Sequence, residues 1–377
     1  MQIRPRGHKP GASPNRAAVR RLRGLSLATV LVGVAVGGAG GAGERPGAPP
    51  FSRMFSLVGD FPLGTATDRM DYQSLDPAAR RLYIAKIGDG KLLVFDIAQN
   101  KLLRQLDGFP KITGVLVVPD LHRVYASVPG AGLVSSLFVG LGMVGMSAGH
   151  GAVAVLDTDN LKEIARLPGG VFPDGIAYDP KDDRIFVSDE LGSAVLAIDA
   201  KTNRVVARID TGGEVGNVRY DPITSKVYVP IQSRDEIAVI DPAKATLSTR
   251  HALGGCLHPH GLALSPDVAI GYVACDANDM LITIDLAMGK VLGWHPVAHD
   301  PDVLAIDPGS KRLYVASESG NVSTFDISSA NSLTALGDVF VSKGAHSVAV
   351  DPTTHRLYFP LANLNGHSVM RVLIPKT

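Results

Sequence analysis

Four residues that can hold a divalent cation or move protons occupy equivalent places along this 377-residue chain: Asp71, His260, Asp302 and His346. Each stands five residues before the Asp of an Asp-Pro step, or before the matching residue that precedes Pro. The same count gives Thr113, Asp174 and Gly216, so the series has seven members. Imidazole nitrogens and carboxylate oxygens are ligands for divalent metals, and an imidazole beside a carboxylate can also act as an acid–base pair. His260, Asp302 and His346 are therefore the candidate metal ligands, and Asp71, Asp174, His258 and His299 the candidate ligand-binding residues. His258 and His299 fall two or three residues before members of the series, with Asp300 adjacent, and His150 and His367 map to the same side. Histidines and aspartates can also line a wet polar channel without ligating anything.

What would position them is a repeat. Asp-Pro or Pro-Asp steps occur at Asp76-Pro77, Pro119-Asp120, Asp179-Pro180, Asp221-Pro222, Pro266-Asp267, Asp307-Pro308 and Asp351-Pro352, their prolines 42 to 44 residues apart except between the second and third. A fixed period of this length marks a repeat architecture. After each step an apolar run carries an aromatic: Tyr83, Tyr125, Phe186, Tyr228, Tyr272, Tyr314 or Tyr358. A second apolar run then ends in Asp in six units (Asp96, Asp157, Asp199, Asp241, Asp285, Asp326), and most units add a third run. In one unit Gly175–Tyr178, Ile185–Val187, Ala194–Ile198 and Val205–Ile209 read as four strands, broken by Asp179-Pro180 and turned by Asp199. Four antiparallel strands in about 43 residues make one blade of a β-propeller. The expected fold is all-β, a seven-bladed β-propeller of four-stranded blades. The last unit lacks a fourth strand, and Met54–Asp60 has the right character to supply it, so an N-terminal strand is expected to close the ring and remove its free edges. The first strand of each blade lines the channel, which gathers the histidine and aspartate series at one mouth. The turn aspartates read as turn formers and the aromatic column as inter-blade core.

The stretch from Arg184 to Gly212, with Ile-Phe-Val-Ser, Ala-Val-Leu-Ala-Ile-Asp and Lys-Thr-Asn-Arg-Val-Val-Ala-Arg-Ile, resembles the YVTN-type (YncE-like) β-propeller repeat family. The resemblance runs over about 310 residues (65 to 374). It implies seven blades and an extracytoplasmic location, and it implies no particular activity. The family's usual Asn after the second strand is replaced here by Ser188, Cys275 or Ser317.

The ends of the chain and its composition bound the rest. Residues 1–23 carry seven basic side chains and no acid, and setting them aside turns a formal charge of +1 into −6. The apolar run Leu25–Val36 and the Gly/Ala stretch to Gly43 complete a secretory leader over 1–43, with the Arg20-Arg21 pair weakly similar to a twin-arginine signal. Residues 44–53 read as a linker and 54–377 as the propeller. The expected location is periplasmic or extracellular. No basic run interleaved with aromatics suggests nucleic acid as a partner, and the chain is expected to be a monomer. Cys256 and Cys275 flank one strand pair and are either bridged or two buried thiols. A Gly-rich apolar insertion over 130–151 sits on the histidine face and would cap the channel, touch a membrane or dock a partner, or remain a mobile loop.

Three function classes remain: a binding or scaffold protein for a small molecule or protein at the channel mouth, a metal-dependent hydrolase or lactonase, and a redox-associated metal-binding protein. No nucleophile elbow, nucleotide loop or haem attachment motif is present. The first is the reading adopted, with a divalent metal as the cofactor its residue types would accept.

Overall fold

The computed structural model describes residues 50–65, 67–130, 151–329 and 332–376. The leader, most of the linker and all but the ends of the 130–151 insertion lie outside the described residues. The rest forms seven four-stranded antiparallel sheets in a ring, a seven-bladed β-propeller, with one α-helical turn at Phe51–Met54 and 3-10 turns at Pro119–Leu121, Gln232–Arg234 and Asp276–Asn278 among the described residues.

One blade illustrates the local logic. Its strands are Pro173–Asp179, Arg184–Asp189, Ala194–Asp199 and Arg204–Asp210. Pro180 has no N–H to continue the first strand. The Asp179 carboxylate accepts the Lys181 N–H and Asp183 turns at φ 50°. Asp199 accepts both the N–H and the hydroxyl of Thr202, and Asn203 turns at φ 52°. Short polar side chains that bond their own turn favour this break over strand continuation.

The aromatic column lies between blades. Tyr83, Tyr125, Phe186, Tyr228, Tyr314 and Tyr358 are fully buried and Tyr272 nearly so. Burying each contributes roughly 1.5–3 kcal/mol. Tyr228 packs with Ile237 and Val239 of its own blade and with Leu262, Val273 and Ile282 of the next.

The ring closes through the N-terminal strand, Phe55–Gly64, which is the outer strand of the last blade and pairs with His367–Pro375. It runs four residues beyond the Met54–Asp60 expectation. The Arg371 guanidinium donates two bonds of 2.8 Å to the Asp60 carboxylate across this seam. Cys256 and Cys275 form a disulfide, with Cα atoms 5.3 Å apart.

Candidate functional site at the channel mouth

The mouth begins with a bulge. In four blades the inner strand takes three steps while its partner takes two: between Met70 and Gln73, Pro173 and Ile176, Pro259 and Leu262, and Pro301 and Leu304. An extra residue in one strand bends it and re-aims a side chain. Asp71, Asp174, His260 and Asp302 are the first residues inside these bulges. Gly261, which follows His260, lets the strands crowd: a Cβ there would collide with the Asp302 carbonyl. The same holds for Gly114 against the Asp174 carbonyl.

Asp302 is the hub. Its carboxylate accepts from His346 Nδ1 at 2.8 Å, faces His260 Nε2 at 3.5 Å and lies 4.0 Å from the Arg69 guanidinium. His346 Nε2 donates to the Met70 carbonyl at 2.8 Å, so the imidazole joins blade seven to blades one and six. Glu318 Oε1 stands 3.1 Å from His346 Nδ1 and 2.5 Å from Arg69. With both ring nitrogens facing oxygen acceptors, His346 is held as the imidazolium. Burial opposes that charge, but the Asp302 and Glu318 hydrogen bonds outweigh it and bring the pKa up to about 10. Burial likewise opposes charge on His260, and the carboxylates of Asp302, Glu190 and Asp174 raise it to about 9. His260 Nε2 also meets the Tyr72 hydroxyl at 3.1 Å, spanning the channel from blade five to blade one.

The carboxyls divide by their neighbours. Burial pushes Glu318 upward, but bonds from His346 and Arg69 overcome it and hold the group at about 2. Asp302 is held low by the same kind of pairing against its burial. Asp71 and Asp174 form no ion pair among the described residues, and the nearby charges of Arg69 and His260 offset their burial only in part. Burial raises each to about 7, reinforced for Asp71 by Asp174 and for Asp174 by Glu190. Burial also raises Glu190, whose Oε1 receives only the Gln232 amide, at 3.2 Å.

Two adjoining cavities open here. The inner one, about 390 Å³, is bounded by Asp71, Tyr72, Asp174, Glu190, His260 and Asp302, with Arg69 and Lys111 at its edge. The outer one, about 490 Å³, adds Glu214, His258, Asp276, Asp300 and Glu318. His258 is bonded to Asp276 at 2.8 Å, and this bond raises its pKa. Among the carboxylates of the outer cavity, Glu190 and Asp300 have no ion-pair partner among the described residues.

Asp71, Asp174, His260, Asp302 and His346 thus come together at the mouth, and His258 lines its outer cavity. His299 does not: it is 76% exposed, bonded to Asp279 at 3.1 Å, and borders neither cavity. Thr113 spends its hydroxyl on the Pro173 carbonyl. Sequence reasoning missed Arg69, Tyr72, Glu190 and Glu318. The signal for two of them was present. Four residues past the aromatics of blades three to six stand Glu190, Gln232, Asp276 and Glu318, which is the start of the loop between second and third strands.

Asp71, Asp302 and His346 each offer one ligand atom, all within 4.8 Å of one another, so this buried group could hold a metal ion. An ion there would have to displace a proton from His346 and sit beside the Arg69 guanidinium, 3.2 Å from the same Nδ1. The arrangement as it stands favours ion pairs over coordination.

No family model matches the chain, and no curated protein matches it. Among solved structures it is similar to Kuenenia stuttgartiensis Hydrazine Synthase, over 81% of this chain and 95% of that chain, with a TM-score of 0.66 and 18% sequence identity. At that identity the likeness establishes the seven-bladed propeller fold and says nothing about chemistry.

Proposed function

We propose that this protein is an exported binding propeller that captures a small cationic ligand at its channel mouth. The observation that carries this reading is the pair of carboxylates, Glu190 and Asp300, that border the outer cavity and form no ion pair among the described residues, His260 reaching Glu190 only as a nearby charge. The other acids there each face a cation: Glu318 faces Arg69 and His346, Asp302 faces His346 and His260, Asp276 faces His258, and Glu214 faces the other side of His258 at 4.0 Å. Burial raises both Glu190 and Asp300, so each gains from a cation that arrives with the ligand. A cavity of about 490 Å³ suits a ligand of a few to a few tens of atoms. The basic, apolar and small-residue leader supports export, and the Cys256–Cys275 bridge supports an oxidising compartment. Membership in the YVTN-type family belongs to this same reading and rests on the repeat residues.

Isothermal titration of the purified mature protein with putrescine and spermidine tests it. Saturable heat is expected, and the Glu190→Gln/Asp300→Asn double variant should lose it. Equal binding by the double variant, or no binding of either amine, sinks the reading.

A second reading, a metal-dependent hydrolase or lactonase, draws on the Asp71, Asp302 and His346 group. Elemental analysis, together with ester and lactone hydrolysis by Asp71→Ala, His260→Ala and His346→Ala variants, distinguishes it. Metal-free protein without turnover removes it.

A further inference from the structure

The lower half of the channel carries different chemistry from the mouth. Three residues beyond each mouth position, the inner strands supply another ring. Six of its seven members are Ser74, Leu116 and four alanines; the seventh is Arg219. A cavity of about 440 Å³ opens beside Arg219, with Val115, Val117, Ile176, Tyr178 and Tyr220 among its walls. Tyr72 borders this chamber as well as the mouth, and its hydroxyl bond to His260 lies between the two.

Arg219 is poorly matched for its place. Its hydrogen bond goes to the Val218 carbonyl at 2.9 Å, and no carboxylate among the described residues forms an ion pair with it. A guanidinium partly withdrawn from water gains from pairing with an anion. Burial lowers its pKa, opposed by the charges of Tyr72 and Asp174. Alanine fills the same ring position in four other blades, so the fold does not require an arginine there. Asp120 lies at the chamber's outer lip and disfavours a ligand with several negative charges.

We infer that this lower chamber is a second binding site, for a small monocarboxylate with an apolar or aromatic body, anchored by Arg219. The carboxylate would take the fork of guanidinium donors. The body would lie along the valine and isoleucine side chains of blades two and three. Charge class separates this site from the mouth, where carboxylates dominate.

The test uses the purified mature protein with benzoate and hexanoate as probes and chloride as control, read by saturation-transfer NMR and by melting temperature. Both carboxylates should bind saturably and raise the melting temperature. Arg219→Ala should weaken them about tenfold or more, Arg219→Lys should weaken them less, and Glu190→Gln/Asp300→Asn should leave them unchanged. Without ligand, Arg219→Ala should melt no lower than the parent. Equal carboxylate affinity in Arg219→Ala, absence of saturable binding, chloride competing as well as benzoate binds, or a large loss of stability in ligand-free Arg219→Ala would each overturn the inference.

Discussion

Replacing Asp302 by Asn keeps the shape of the side chain and removes the one anion shared by His346, His260 and Arg69. Asp302 and His346 are 13% and 4% exposed at their side chains, so water cannot replace what is lost. Removing one member of a buried pair leaves an uncompensated charge and costs about 3–5 kcal/mol. Glu318 still faces His346, which puts the expected loss near the lower bound, about 3 kcal/mol. For a domain of this size that is a fall of roughly 4–5 °C in melting temperature. The loss should depend on pH in a definite direction. His346 and His260 titrate at about 10 and about 9 when folded, above the ordinary histidine value of 6.5. Their contribution is therefore complete below about pH 6.5 and fades as pH climbs through those values. Wild type and Asp302→Asn should be furthest apart at about pH 6 and converge towards about pH 10. Urea unfolding followed by circular dichroism at both values measures this. A variant within about 0.5 kcal/mol of wild type at about pH 6, the range of an ordinary surface change, would refute the hub.

Asp174 titrates at about 7 when folded against 3.8 unfolded, so its contribution to stability is complete below 3.8 and is lost as pH rises from there to about 7. Asp174→Asn, which mimics the protonated acid, should melt higher than wild type at about pH 8, by less at about pH 5, and alike at about pH 3. At the acid end Glu318, held at about 2, loses its contribution as pH drops below its ordinary 4.5, so Glu318→Gln should matter least in strong acid, as melts across pH would register. Breaking the Cys256–Cys275 bridge, which spans 19 positions, should cost about 3 kcal/mol, measured on the double alanine variant. Gly261→Ala drives a methyl into the Asp302 carbonyl and Leu304 Cδ1 and should lower stability by roughly 1–3 kcal/mol, visible as a lower melting temperature.

The blade count was legible because its signals are local. Asp-Pro turns, the aromatic four to seven residues later and the strand-closing Asp all fall within one unit of about 43 residues. The closing strand could be inferred because the last unit was one strand short. Counting from the turns also placed His260, Asp302 and His346 at one mouth. What counting could not supply was the bonding. The Arg69 to His346 contact spans 277 positions and the Tyr72 to His260 contact 188, and both depend on how side chains reach across the ring. The same limit explains His299: its unit position fixes the face, but its distance from the axis leaves it at the exposed rim. Arg219 stands in the sequence as the one charged member of its ring, yet that no carboxylate among the described residues pairs with it is a property of the packed channel alone.

We propose that Glu190 and Asp300, which form no ion pair among the described residues, make the mouth a cation site. A crystal structure of the mature protein grown with putrescine tests it most directly. An ammonium nitrogen is expected within hydrogen-bond distance of Glu190 or Asp300, with the His346–Asp302 bond intact. Putrescine density elsewhere only, or a mouth in which both carboxylates turn away from a vacant cavity at saturating amine, would contradict it.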